Sequence, residues 1–151
     1  MSPERMPGHI AVPNLIGLYA EAIDDGDFEK VADILADAVV TSEGTDRETV
    51  GRAAVLAMYE DWTLRYEDGT PRTKHVTTNI ILEVDEDAGT AAARSYFTVL
   101  QATTGLPLQP IITGRYRDTF VRVDGAWRFA TRHMITEHLG DLSHHLKIAL
   151  G

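Results

Sequence analysis

The hydrophobic period changes once along this chain, at Thr73, and no other feature narrows the possible folds as much. Before it, apolar residues recur at helical spacing. Leu15, Leu18, Tyr19, Ala22 and Ile23 follow the i, i+3, i+4 pattern of a helix over residues 14–23 with one buried face. Gly26 interrupts that run, and Asp27 is placed to N-cap a second helix over 28–38. A β-rich Val39, Val40, Thr41 follows, and Val50, Ala54, Met58 and Trp62 then mark a third helix over about 49–66. After Thr73 the chain reads as four extended runs, 75–84, 90–102, 108–123 and 126–136. Asp85 to Gly89 and Asp124–Gly125 supply residues that accept the positive φ of hairpin turns. Pro110 removes a ladder donor, so it belongs at an edge or bulge, or before its strand begins. Helices first and strands after predict an α+β layer: a cone-shaped, curved antiparallel sheet packed against about three N-terminal helices. A last short helix is expected over 139–150.

Length and charge bound the rest. The 151 residues, 44% of them apolar, make one domain, its core at about 13–138 with a tail over 139–151. A net charge of −9 opposes phosphate backbones and anionic lipid, so neither nucleic acid nor a membrane is an expected partner. Cysteine is absent, which removes disulfides, thiol nucleophiles and zinc–thiolate sites. The first nine residues carry no apolar leader and no later run nears the roughly 18 residues of a span, so a cytoplasmic protein is expected. His144 and His145 are adjacent but no ligand spacing such as H-E-x-x-H occurs, and no metal is expected. Gly-rich phosphate loops and G-x-S-x-G are missing as well, so no cofactor is expected.

Read together, several phrases resemble one family. They are Leu18-Tyr19-Ala20-x-Ala22-x-Asp24-x-Gly26-Asp27-Phe28-x-x-Val31, Gly51-Arg52-Ala53-Ala54-Val55 and His75-x-x-x-Asn79. Gly114-Arg115-Tyr116, Asp124-Gly125-Ala126-Trp127-Arg128-Phe129 and Arg132 complete the set, in order and at fitting spacing. The chain resembles the SnoaL-like branch of the nuclear transport factor 2-like superfamily over about residues 15–136. Members with lyase activity, such as scytalone dehydratase, bile-acid dehydratase and hexachlorocyclohexane dehydrochlorinase, use an Asp–His dyad to remove a proton beside a leaving group. The resemblance places that dyad on Asp24 and His75, a tyrosine acid on Tyr19 and a cationic residue on Arg132. It implies a lyase or isomerase, dehydratase-like or cyclase-like, acting on a small, largely apolar cyclic molecule in an enclosed apolar pocket. The second histidine of scytalone dehydratase has no counterpart, since that region reads Val99-Leu100-Gln101. A protein of the same fold that binds a small ligand or assembles with partners, without chemistry, is the alternative.

Taken singly, these residues have plainer readings. Asp24 can be a turn former, His75 a strand histidine bonded to backbone, and Tyr19 a core aromatic. Arg132 shares strand parity with Arg128 and points to solvent unless a bulge intervenes. Asn79 has the parity of His75, so both are expected to line the pocket with Tyr59 and Trp62 of the third helix. Tyr96 and Phe97 point to opposite faces, and Tyr96 is assigned to the pocket. Apolar residues on both parities of the strands, such as Ile80 and Ile81, imply two partly buried faces and hence a homodimer or homotrimer.

Overall fold

The computed structural model describes residues 6–148. Within them lie three helices, α1 (Gly8–Asp24), α2 (Phe28–Ile34) and α3 (Arg52–Trp62). Six strands join them: β1 (Val39–Ser42), β2 (Glu48–Val50), β3 (Thr73–Asp85), β4 (Thr90–Thr103), β5 (Leu106–Val123) and β6 (Ala126–Leu139). They form one curved, unclosed sheet in the order β2-β1-β6-β5-β4-β3. The expected antiparallel meander is β3 to β6. The sheet is nonetheless mixed, because β1 pairs parallel with β6 and antiparallel with β2. Val39 to Thr41 showed the strand propensity of β1, but propensity does not name a partner. The third helix is shorter than its apolar stripe, because β2 occupies residues 48–50 and Gly51, at φ 94°, turns the chain into α3.

The helix α1 begins before Pro13 and takes it inside, giving up one backbone donor. Its buried stripe is Val12, Ile16, Tyr19 and Ile23, spaced four, three and four apart, while Leu18 stays exposed. Asp27 caps α2 as expected, its side chain accepting from the backbone N–H of Lys30 at 3.0 Å. These helices cover the sheet's inner face, where Phe97, Val99, Tyr116, Phe120 and Phe129 meet α1 and α2 residues in one core. Burial of each such side chain contributes about 1.5–3 kcal/mol.

Five register shifts interrupt the ladders, and three of them bear on which side chains reach that inner face. In β3 the register shifts between Thr78 and Ile81, so Asn79 and Ile80 together oppose Ser95, and Asn79 takes a left-handed φ of 56°. In β6 Thr131 faces Thr119 but Phe129 already faces Phe120, which leaves Ala130 as the extra residue and reverses the parity from Thr131 to Thr136, where a second shift leaves Glu137 extra. Pro110 pairs with Leu100 beside a third shift, the bulge that its missing donor requires. Gly114 sits where a Cβ would lie 2.1 Å from the Ile135 carbonyl oxygen and 2.6 Å from the Phe97 ring, so this position admits no side chain.

The expected terminal helix is absent from residues 140–148, and its last residues lie outside the described ones. The segment is instead a strap bonded to other elements. Leu64 donates its backbone N–H to the His145 carbonyl at 2.8 Å, Lys147 to Trp62 at 2.8 Å, and Gly140 to Ile111 at 2.7 Å. No helix among the described residues is long and apolar enough to cross a membrane.

Candidate functional site

Asp24 is the last residue of α1 and His75 the third of β3, and the crossing of these elements brings them together. The carboxylate accepts three hydrogen bonds. Oδ1 takes the His75 Nδ1–H at 2.7 Å and the Thr73 hydroxyl at 2.8 Å, and Oδ2 takes the His75 backbone N–H at 2.8 Å. Each of the two side chains is 9% exposed. Burial is the largest influence on Asp24 and opposes its charge, but the His75 ring, its backbone N–H and Thr73 together outweigh burial and hold the carboxyl below its ordinary range. An ionised Asp24 that accepts from Nδ1 fixes the imidazole as the tautomer whose Nε2 carries the lone pair. His75 lines a hollow of about 480 Å³ between the helices and the sheet.

Most of that hollow is apolar. Ile23, Met58, Trp62, Phe97, Val99 and Met134 contribute to its wall, as do Tyr19, Tyr59 and Tyr116. The hydroxyls of Tyr19 and Tyr59 hydrogen-bond to each other, and Tyr116 stacks on Phe97 with ring centroids 4.5 Å apart. Burial raises the pKa of all three phenols, so at neutral pH they are donors and not phenolates.

Arg132 lies behind these rings. The Ala130 bulge turns it inward, where it is fully buried, and Asp118 holds it through paired bonds of 2.9 and 3.0 Å. Its guanidinium carbon is 3.7 Å from the Tyr116 ring centroid and 4.2 Å from that of Tyr19. Burial opposes its charge most, yet the adjacent Asp118 carboxylate more than compensates and the guanidinium stays protonated. The hollow's wall does not include Arg132, so its route to an occupant runs through Tyr19 and Tyr116.

Two expected wall residues are elsewhere. Asn79, thrown out of phase by the β3 bulge, is exposed and lines a shallow groove with Tyr96, Arg94 and Arg115 on the outer face. Tyr96 is 44% exposed in that groove, and its neighbour Phe97 takes the inner place. Tyr59 and Trp62 do line the hollow. Three wall or support residues are not among the expected site residues: Asp118, Tyr116, which stands in one of the family phrases, and His145, which stands in the adjacent histidine pair. Asp118 is recognisable only through its cross-strand pairing with Arg132, and His145 only through the strap. Among the described residues no group of three or more His, Cys, Asp or Glu side chains is arranged to hold a metal ion.

A family model described as a SnoaL-like domain matches residues 7–133. No curated protein matches the chain by sequence. Among solved structures, a provisionally named scytalone dehydratase from Novosphingobium aromaticivorans is 27% identical, with a TM-score of 0.68 over 87% of this chain and 85% of its own. LinA is 23% identical, with a TM-score of 0.69 over 95% of this chain and 93% of its own. ActVI-ORFA from Streptomyces coelicolor is 22% identical, with a TM-score of 0.71 over 87% and 98% respectively. The last two likenesses are of fold alone.

Proposed function

Since the chain belongs to the SnoaL-like domain family, we propose that it is a lyase or isomerase acting by proton abstraction on a small, largely apolar cyclic molecule. One observation carries this reading: the 2.7 Å hydrogen bond from His75 Nδ1 to a buried Asp24, at the wall of an apolar hollow. The name of the scytalone dehydratase homologue agrees in reaction class.

In this reading His75 Nε2 takes a proton from a carbon next to a carbonyl, and Asp24 stabilises the imidazolium that forms. The electrons of the broken C–H bond become a new carbon–carbon double bond. In elimination, the hydroxyl on the next carbon leaves with its own bonding pair and takes the proton from the imidazolium, departing as water. In isomerisation, the imidazolium returns the proton to a different carbon. Negative charge gathers on the carbonyl oxygen meanwhile, and the Tyr19–Tyr59 pair supplies a protonated donor for it. Arg132, bonded to Asp118, turns the positive end of that ion pair toward the Tyr19 and Tyr116 rings.

Cyclic 3-hydroxy ketones, which become absorbing enones on losing water, provide the assay. Asp24→Asn and His75→Ala are expected to lower kcat by about 10²–10⁴-fold. Turnover by the wild-type protein that both variants retain would refute the dyad.

A further inference from the structure

His145 has no place in the proton transfer described above, yet its setting is that of a recognition group. Its relative exposure is 8%; Nδ1 is shut away with no hydrogen-bond partner among the described residues, which leaves Nε2, also without one among them, as the nitrogen that an occupant of the hollow can reach. It lines the same hollow as His75, with the two ring centroids 6.3 Å apart and the rings edge to face. A buried imidazole left unpaired is costly, on the order of 1–3 kcal/mol, unless something else completes it.

The strap that carries it is firmly tied. The His144 carbonyl accepts from the Gln101 side chain at 2.9 Å and from the Tyr66 hydroxyl, and the His144 ring meets the Thr103 hydroxyl at 3.0 Å. The His145 carbonyl accepts from Leu64, while Lys147 bonds Trp62 and, through Nζ, the Glu60 carbonyl at 2.9 Å. Leu142 and Leu146, on either side of His145, enter the hollow as apolar wall. The strap's polar backbone is thus satisfied away from the hollow, and the one polar side chain it sends inward is His145.

We propose that His145 is a specificity-determining residue, an imidazole that hydrogen-bonds a hydroxyl or carbonyl oxygen of the hollow's occupant and so selects oxygenated cyclic molecules over hydrocarbons of the same shape. Its neutrality fits this task. Burial, with His75 nearby, lowers its pKa to about 4, so it presents a donor and an acceptor without a charge to desolvate. The inference shares with the proposed function only the claim that the hollow holds a ligand.

A matched pair of probes tests it without turnover: 2-naphthol and 2-methylnaphthalene, titrated into the folded protein and followed by NMR. Wild type is expected to bind 2-naphthol about tenfold more tightly, the scale of one net hydrogen bond. His145→Phe is expected to abolish that preference and His145→Gln to restore part of it. Equal binding of the two probes by wild type, or a preference that survives in both His145 variants, overturns the inference. A preference lost in the His145 variants beside a dehydration rate untouched in Asp24→Asn and His75→Ala sinks the proton-transfer reading and leaves this one standing.

Discussion

Asp24 is an anion at the C-terminal end of a helix, the end where the macrodipole already places negative charge, at a typical cost of about 0.3–1 kcal/mol. The three donors from Thr73 and His75 offset that penalty, and so the carboxylate and the imidazole hold each other in place. Arg132 and Asp118 form a charged pair in the interior, and both side chains are fully buried. Removing one partner strands the other charge, so Asp118→Ala is expected to lower the unfolding free energy by about 3–5 kcal/mol in urea titrations. Replacing both by apolar residues is expected to cost far less. His145 makes stability depend on pH. Its folded pKa of about 4 lies below the ordinary 6.5, so its neutral form favours the native state fully above pH 6.5, and that contribution declines as pH falls toward 4. The loss is expected to reach about 3 kcal/mol at most, read as a falling urea midpoint between pH 7 and pH 4, and His145→Leu flattens that slope. The facing groups do not mask it. Asp24, whose pKa is lowered, withdraws its own contribution only below the ordinary carboxylate range, and the remaining neighbour, His75, is common to both proteins.

At the scale of elements, the bulges matter more than the strands they interrupt. Asn79 in its left-handed conformation anchors the β3 bulge, and a β-branched residue there is strained. Asn79→Val is expected to lower stability by about 1–3 kcal/mol in denaturant titrations, with dehydration kinetics unchanged because the side chain lies on the outer face. The same feature marks how far the sequence could be read. Periodicity located all three helices and the four long strands, and the Asp–Gly pair marked the last hairpin, where Asp124 and Gly125 both adopt positive φ. Asp24, His75, Tyr19, Tyr59 and Trp62 also stand out from motif order and spacing; the fold sets the last four round one hollow and bonds Asp24 to His75 outside that lining. Parity then failed at Asn79 and Arg132, since one extra residue exchanges the two faces of everything beyond it and no residue type announces it. Arg132 was expected outside unless a bulge intervened, and the Ala130 bulge does intervene. The strap was missed for a related reason, because its hydrogen bonds run to α3, β4 and the segment after α3, and local patterns carry no record of them.

The molecule as a whole is a half-open cone whose chemistry is separated by layer. Helices roof the inner face, the strap closes one side, and between them polar groups converge on a mostly apolar space: an ionised carboxylate behind an imidazole, neutral phenols, and a second, neutral imidazole. The outer face is mixed, with Val76, Ile81 and Tyr96 exposed beside Arg94, Arg115 and Arg117. Low dielectric inside the hollow strengthens every interaction aimed at developing charge, which is what the proposed proton transfer asks of an enclosure. All of this depends on the tautomer of a single ring. Nitrogen-15 NMR of the histidine side chains in the folded, ligand-free protein at neutral pH reads it directly. The neutral form of the His75 ring is predicted to show a protonated, slowly exchanging Nδ1 and a bare Nε2, a pattern lost in Asp24→Asn. An Nε2-protonated ring, or a His75 spectrum indifferent to Asp24→Asn, would contradict the account.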